Sequence, residues 1–383
     1  MSTSKKMYQV GIILCAISLF GCGNKQTTPT QEAHENNVPT TPSSTDATVP
    51  TTNVVPSSPS LGKDSLSGVS KYQSILHEKY AEYDAMPLEF AAESCPPPVM
   101  FANNEYHKIE FQPFAKGSMT ELYDTDDFSL VLKLQNPPSV ELLDGLWREI
   151  AAGSILGESE YFPTFYNPEF SDQVSEYCAI RILVMSNAGM TSLSDPRNVD
   201  LLSIEDLAVR CMSILNRVHS VGIIHGDVHK GNFVFTDSLS TVKLIDFGRS
   251  TEWLDFTTGE HMTISAAYVK EKNDRADFKN SRMSLNVAYL SPFEIQGIPR
   301  SRRDDMFRLA EMLIALLDQE DLNTKYYIDG FFTDEATILD LKIAPKFSAK
   351  IPKKFQDFYR YTLGLEFDQA PDYSLLSNLF TKS

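Results

Sequence analysis

The chain has 383 residues, with 51 acidic side chains against 34 basic ones for a formal net charge of −17, and 42 % of it is hydrophobic. So acidic a balance argues against nucleic acid and against anionic lipid as direct ligands, since both are polyanions that it would repel. The length could hold two domains, yet the first fifth is composed unlike the rest.

Lys5 and Lys6 precede an apolar run from Val10 to Phe20, too short to span a bilayer in comfort and suited to the apolar region of a secretory signal. The run ends Leu19-Phe20-Gly21-Cys22, which resembles the bacterial lipoprotein signal, although Phe20 is bulkier than that pattern usually has. Residues 1–22 are therefore expected to export the chain, leaving it secreted or membrane-anchored. Three outcomes stay open: a lipidated Cys22, plain cleavage, or an uncleaved anchor. Residues 23–70 are rich in Thr, Pro, Ser and Asn and cannot bury enough surface to offset their ordering entropy, so they read as a disordered linker. Cys95, Cys178 and Cys211 lack metal-type or disulfide-type spacing, and the last two lie in apolar segments as small core residues.

Residues 71–104 read as an N-terminal extension, and 105–383 as one domain with enough Leu, Ile, Phe and Tyr for a sizeable core. Phe128–Leu134 alternates and is β-rich, which predicts a strand carrying one lysine, Lys133, among apolar residues. Glu141–Ala152 has helical periodicity and contains Glu149. Ala179–Gly189 predicts a strand that runs through Met185, Ser186 and Ala188 into a glycine turn.

Further on stand Ile224-His225-Gly226-Asp227-Val228-His229-Lys230-Gly231-Asn232 and Leu244-Ile245-Asp246-Phe247-Gly248. Each Asp or Asn alone would fit an ordinary turn, but the ordered set matches the H-R-D-L-x-x-x-N and D-F-G pattern of protein kinases. The chemistry accounts for the residue types. Asp227 would accept or orient the proton of an attacking hydroxyl, while Asn232 and Asp246 supply hard oxygens to Mg²⁺ on the ATP phosphates.

Three more segments resemble the casein kinase I and vaccinia-related kinase group within that superfamily. They are Leu215–Ile224, which is similar to the group's I-H-S-x-x-x-I-H run, Ser301-Arg302-Arg303-Asp304-Asp305-Met306, and Leu365–Ser374 with its Pro371-Asp372-Tyr373-Ser374. The resemblance covers roughly residues 105–383. It implies an α+β, bilobal kinase fold, with a β-rich lobe at about 105–185 and a mainly helical one at about 186–383. It also implies a protein Ser/Thr substrate, ATP and Mg²⁺. Lys133 would grip the phosphates and pair with Glu149, with Glu141 as the rival because helix register is not settled by one sequence. Asp305 would brace the catalytic loop. Adenine would meet backbone groups near Ser186 and Ala188, beside Met185, and the phosphate loop would run through Ala115, Gly117 and Ser118 to Leu122.

The departures shape the alternatives. Of the three phosphate-loop glycines only Gly117 is present, which costs backbone approach to phosphate and leaves a pseudokinase scaffold as one alternative. H-G-D-x-H-x-G-N also resembles aminoglycoside and sugar-amine phosphotransferases, the small-molecule alternative. Asp318-Gln319-Glu320-Asp321 stands where casein kinase I has a basic stretch, so a preference for acidic substrates is in doubt. Gly226 replaces an arginine, which leads to the expectation that the loop lacks the buried charge an activation-segment phosphate would neutralise.

Overall fold

In the computed structural model, α1 spans residues 70–78, and the hairpin strands β1 (Val99–Ala102) and β2 (Glu105–Lys108) follow. Next come β3 (Ala115–Lys116), β4 (Thr120–Asp124), β5 (Leu130–Gln135), α2 (Val140–Leu156) and β6 (Arg181–Ser186). The structure describes residues 70–78, 99–102, 105–108, 113–116, 120–125, 129–135, 140–166, 181–189, 191–194, 202–236, 241–274, 287–328 and 331–381, all within the unit Leu61–Ser383. The expected signal and lipidation site, the linker up to residue 69, Gly117, Ser118, Cys95 and Cys178 lie outside the described residues.

β3 to β6 form one antiparallel sheet in sequence order. β5 is an inner strand, so its Leu130, Val131 and Leu132 are buried and Lys133 is carried inward with them. Register sets Lys133 opposite Leu122 on one side and Leu183 on the other. The strand expected at 128–134 begins two residues later, and the helix expected at 141–152 extends to Leu156.

Among the described residues that follow, more lie in helices than in strands. After β7 (Thr191–Ser192) come α3 (Ile204–Ser220), β8 (Ile223–Ile224), β9 (Phe233–Phe235), β10 (Val242–Leu244), β11 (Thr251–Glu252) and α4 (Ile264–Asp274). They are followed by α5 (Arg302–Asp318), β12 (Tyr327–Ile328), β13 (Phe331–Phe332), α6 (Glu335–Ile343), α7 (Lys353–Leu363) and α8 (Tyr373–Thr381). The chain is thus α+β, with helices and small sheets. α3 begins at Ser203, whose side chain accepts from the Asp206 amide, and Glu205 and Asp206 in its first turn suit the positive helix end. Its inward stripe of Leu207, Cys211, Leu215 and Val218 follows helical spacing. Cys211 is a buried free thiol, as its apolar setting predicts, and burial pushes its pKa up.

α5 is buried along Arg303–Ala315, so every charged group on it needs a partner. Lys342 of α6, fully buried, donates to both Glu311 oxygens at 2.7 and 2.6 Å and to the Ala288 carbonyl at 2.9 Å. α1, in the stretch read as an extension, packs Tyr72 and Leu76 into the main core cluster.

Candidate active site

Strand β5 and helix α2 present Lys133 and Glu149 to each other. The Lys133 ammonium donates to Glu149 Oε2 at 2.7 Å and to Asp246 Oδ1 at 2.9 Å. The Glu149 side chain is 1 % exposed and that of Asp246 is 46 % exposed, so one carboxylate is a fixed anchor and the other faces solvent. Burial opposes the lysine's charge, but Asp246 and Glu149 outweigh it and raise its pKa, so Lys133 is a cation. Burial pushes Glu149 up to about 7, with Lys133 pulling against it and the like charge of Asp246 adding to it. Burial also works against the Asp246 charge, yet the adjacent Lys133 holds that carboxyl below its usual range. Asp246 adopts φ +65°, a left-handed conformation rare for a residue with a side chain. Glu141 lies in α2 too, but its side chain is outside the described ones.

The catalytic-loop sequence is held by α5. Asp305 accepts from the His225 amide at 2.7 Å and the Gly226 amide at 2.9 Å, and its Oδ2 meets His219 Nε2 at 2.9 Å. The other ring nitrogen of His219 meets the Tyr373 hydroxyl, so the three segments that carry the family resemblance are linked in series from Asp305 through His219 to Tyr373. Burial lowers the pKa of both His219 and His225, in each case against Asp305. A neutral His225 with its proton on Nε2 satisfies both of its contacts: Nε2 donates to the Ile245 carbonyl at 3.0 Å and Nδ1 accepts from the Asp227 amide at 3.2 Å. Its ring meets Phe247 edge to face, with centroids 4.8 Å apart.

Asp227 faces three cations or potential cations. Arg249 Nη1 lies 3.5 Å from Oδ1, Arg308 Nη1 3.7 Å from Oδ1, and His229 Nε2 3.7 Å from Oδ2. Burial pushes the Asp227 carboxyl up, but Arg249 above all, then His229 and Arg308, hold it far below the usual carboxylate range. The expectation that Gly226 leaves the loop without an arginine charge is therefore corrected: the charge arrives from Arg249, Arg300 and Arg308. Arg302 stacks 3.7 Å over Trp253 and donates to the Asp368 carbonyl, and Arg303 stacks 3.6 Å over Phe293.

Asn232 donates its amide hydrogen to the Asp227 carbonyl at 2.8 Å, which leaves its side-chain oxygen as the atom suited to a hard cation. That oxygen and the solvent-facing Asp246 carboxylate, in segments joined by the Ile245 amide to Asn232 carbonyl bond at 2.9 Å, fit a Mg²⁺ site in donor chemistry. Of the residues expected to meet adenine, Met185 and Ala188 are buried and Ser186 is half-buried, and Leu122 of the expected phosphate loop is half-buried. The Ser186 amide donates to the Thr164 carbonyl at 2.8 Å, so that group is committed within the fold. Gly189, at φ +125°, allows the Phe235 carbonyl to approach: a Cβ there would lie 1.9 Å from that oxygen. Ala115 lies on β3 at the start of the undescribed phosphate-loop stretch.

Sequence reasoning missed Arg249, Arg300 and Arg308. One signal was available for Arg308: it follows Asp305 by three residues and so shares its helix face.

No protein-family profile matches the chain. Over 184 residues it is 29 % identical to a casein kinase 1-like protein of Oryza sativa subsp. japonica, covering 45 % of this chain and 24 % of that protein. Over 193 residues it is 24 % identical to a probable serine/threonine-protein kinase of fowlpox virus, covering 49 % of this chain and 58 % of the relative. The matches thus span about a quarter and under two thirds of the two relatives' lengths. With these similarities beside the contacts of Lys133 with Glu149 and Asp246 and of Asn232 with the Asp227 carbonyl, the chain is similar to protein kinases of the casein kinase 1-like and poxvirus serine/threonine kinase type.

Proposed function

We propose that this chain transfers the γ-phosphoryl group of ATP, with Mg²⁺, to the hydroxyl of protein Ser or Thr residues. The fold would be two-lobed, with residues of about 105–185 forming the β-rich lobe and 186–383 the helical one. The observation that carries this reading is Lys133 held 2.7 Å from Glu149 and 2.9 Å from Asp246, with Asn232 bonded at 2.8 Å to the Asp227 carbonyl. In a bound complex Mg²⁺ supplies charge neutralisation on the phosphates. Lys133, kept in direction by Glu149, would bind the phosphates, while Asp246 and the Asn232 oxygen would hold the metal. Asp227 receives the hydroxyl. A carboxylate held so far below its usual range is a weak base, so its main work is to orient the hydroxyl and take the proton late in the transfer.

The test is a γ-labelled ATP assay on the full chain, offering generic proteins and small hydroxyl compounds side by side. Label should appear on protein Ser and Thr. Asp227→Asn should keep Mg²⁺-ATP binding and lose about 10²- to 10⁴-fold in rate, while Asp246→Ala should weaken Mg²⁺-ATP binding itself. Label on small compounds alone would instead make it a small-molecule phosphotransferase. ATP binding without transfer to any acceptor would make it a binding module, and absence of nucleotide binding would end the enzymatic reading.

Export, with anchoring through a lipidated Cys22 or the Val10–Phe20 run, is a separate proposal that rests on the sequence of residues 1–22. Among the described residues no helix is long and apolar enough to cross a membrane.

A further inference from the structure

The residue between His225 and Asp227 has no side chain, and the space one would fill is taken from outside the loop. Gly226 sits at φ +74°, and a Cβ there would lie 2.4 Å from Arg300 Nη1 and 2.5 Å from the Arg249 carbonyl oxygen. Arg300 Nη1 donates to the Arg249 carbonyl at 3.0 Å and to the Gly226 carbonyl at 3.3 Å. Arg308 makes the shorter contact, donating Nη1 to the Gly226 carbonyl at 2.7 Å. Its Nη2 reaches both Glu294 oxygens at 2.8 and 2.7 Å, and its Nε reaches Oε2 at 3.2 Å. One turn earlier on α5, Asp305 takes the Gly226 amide at 2.9 Å. A single helix therefore grips both polar groups of residue 226, and the direction of the next side chain, Asp227, follows from that grip. Glu294 ends the run Ala288-Tyr289-Leu290-Ser291-Pro292-Phe293-Glu294, which resembles the substrate-side end of a protein-kinase activation segment.

We propose that Arg308 is the positioning residue for Asp227, and that by pairing with Glu294 it locks the catalytic loop to the substrate-side segment so that the two order together. This rests on the reading of Asp227 as the residue that receives the hydroxyl. A guanidinium suits the task because its donors lie in one plane and can serve a carboxylate and a carbonyl at once; an ammonium has no such fork. Glu294 also balances the buried charge from within the fold.

The experiment uses the full chain and compares wild type, Arg308→Lys, and the double variant Arg308→Met/Glu294→Met, which removes the pair without stranding a buried charge. Steady-state kinetics with ATP are read together with hydrogen exchange at residues 225–228 and 287–296. In the double variant kcat should fall about 10²-fold, the scale of a misplaced reacting group, with KM for ATP within about twofold of wild type. Exchange should rise in both segments together. Arg308→Lys, which preserves charge and most of the volume, should recover part of the rate; it also serves if the double variant does not fold, since a wild-type kcat in it would overturn the proposal. An unchanged kcat in a folded double variant, or an equal loss in ATP affinity and kcat, would overturn it too. If wild type itself transfers no phosphate, the kinase reading falls and hydrogen exchange alone decides the lock: joint loss of protection sustains it, and unchanged protection removes it.

Discussion

Tyr72 donates its hydroxyl hydrogen to the Ser250 carbonyl at 3.0 Å, across 178 positions of the chain. Arg148 of α2 donates to the same oxygen at 3.0 Å, one residue before Glu149. A helix that precedes the first strand, the helix that carries Glu149, and the loop that follows Asp246 therefore meet at a single carbonyl. Tyr72→Phe should cost about 1 kcal/mol, the net worth of one internal hydrogen bond, and Tyr72→Ala about 3–5 kcal/mol, as for other large-to-small core changes. Chemical denaturation reads both values. An Ala variant as stable as wild type would mean that α1 contributes nothing to this junction.

Asp305 serves two backbone amides and one imidazole, all buried. Asp305→Ala leaves the His225 and Gly226 amides unpaired, at about 1–3 kcal/mol each. The expected loss is therefore about 2–6 kcal/mol, with phosphoryl transfer lost as well because the peptide before Asp227 is released. Tyr373→Phe, which removes only the outer contact to His219, should cost about 1 kcal/mol. Equal effects from the two substitutions would show that the amides are not what the carboxylate supports.

Gly226→Ala should destabilise the chain by at least about 1–2 kcal/mol from the left-handed backbone alone, since residue 226 holds φ +74°. The added methyl also meets the Arg249 carbonyl at 2.5 Å, a backbone group that cannot swing aside as a side chain can. Thermal unfolding measures the sum. An alanine variant with the wild-type midpoint would contradict the tight packing around this residue.

Glu149 confers a pH dependence with a definite sign. Its pKa is pushed up to about 7, first by burial and then by Asp246, against the pull of Lys133. Between the ordinary carboxyl value of about 4.3 and about 7, the folded state binds the proton more tightly than the unfolded one does. Stability contributed at this site therefore falls as pH rises through that window, with a slope of up to about 1.4 kcal/mol per pH unit, and is level above it. Glu149→Gln removes the linkage. The difference in unfolding free energy between wild type and Glu149→Gln should thus shrink from pH 5 to 7. A difference that grows instead would show the carboxyl to be ionised throughout by Lys133.

At the N-terminus, Leu19-Phe20-Gly21-Cys22 leads to a mass prediction. A lipidated chain begins at Cys22 with its acyl groups attached, and Cys22→Ser leaves the signal uncleaved. Intact-mass measurement of the membrane fraction reads this, and a mature N-terminus at any other residue rules out lipidation at Cys22 while leaving export standing.

The sequence alone determined which residues could do chemistry here, because His225 to Asn232 and Asp246 to Gly248 lie in short local runs whose spacing is set along the chain. It also determined the strand that carries Lys133 and the helix that carries Glu149, since alternation and helical periodicity are local properties. Three things needed the tertiary structure. The choice between Glu141 and Glu149 as the lysine's partner depends on how α2 is rotated against the sheet, and only packing sets that. The placing of α1 in the core could not be read from a short amphipathic stretch beside a polar linker. Above all, the glycine at 226 pointed to a loop without an arginine, whereas folding brings in Arg249, Arg300 and Arg308 from positions 23 to 82 residues further along the chain. A missing side chain leaves a volume, and which distant group fills a volume is decided by the approach of elements remote in sequence, which no local pattern encodes.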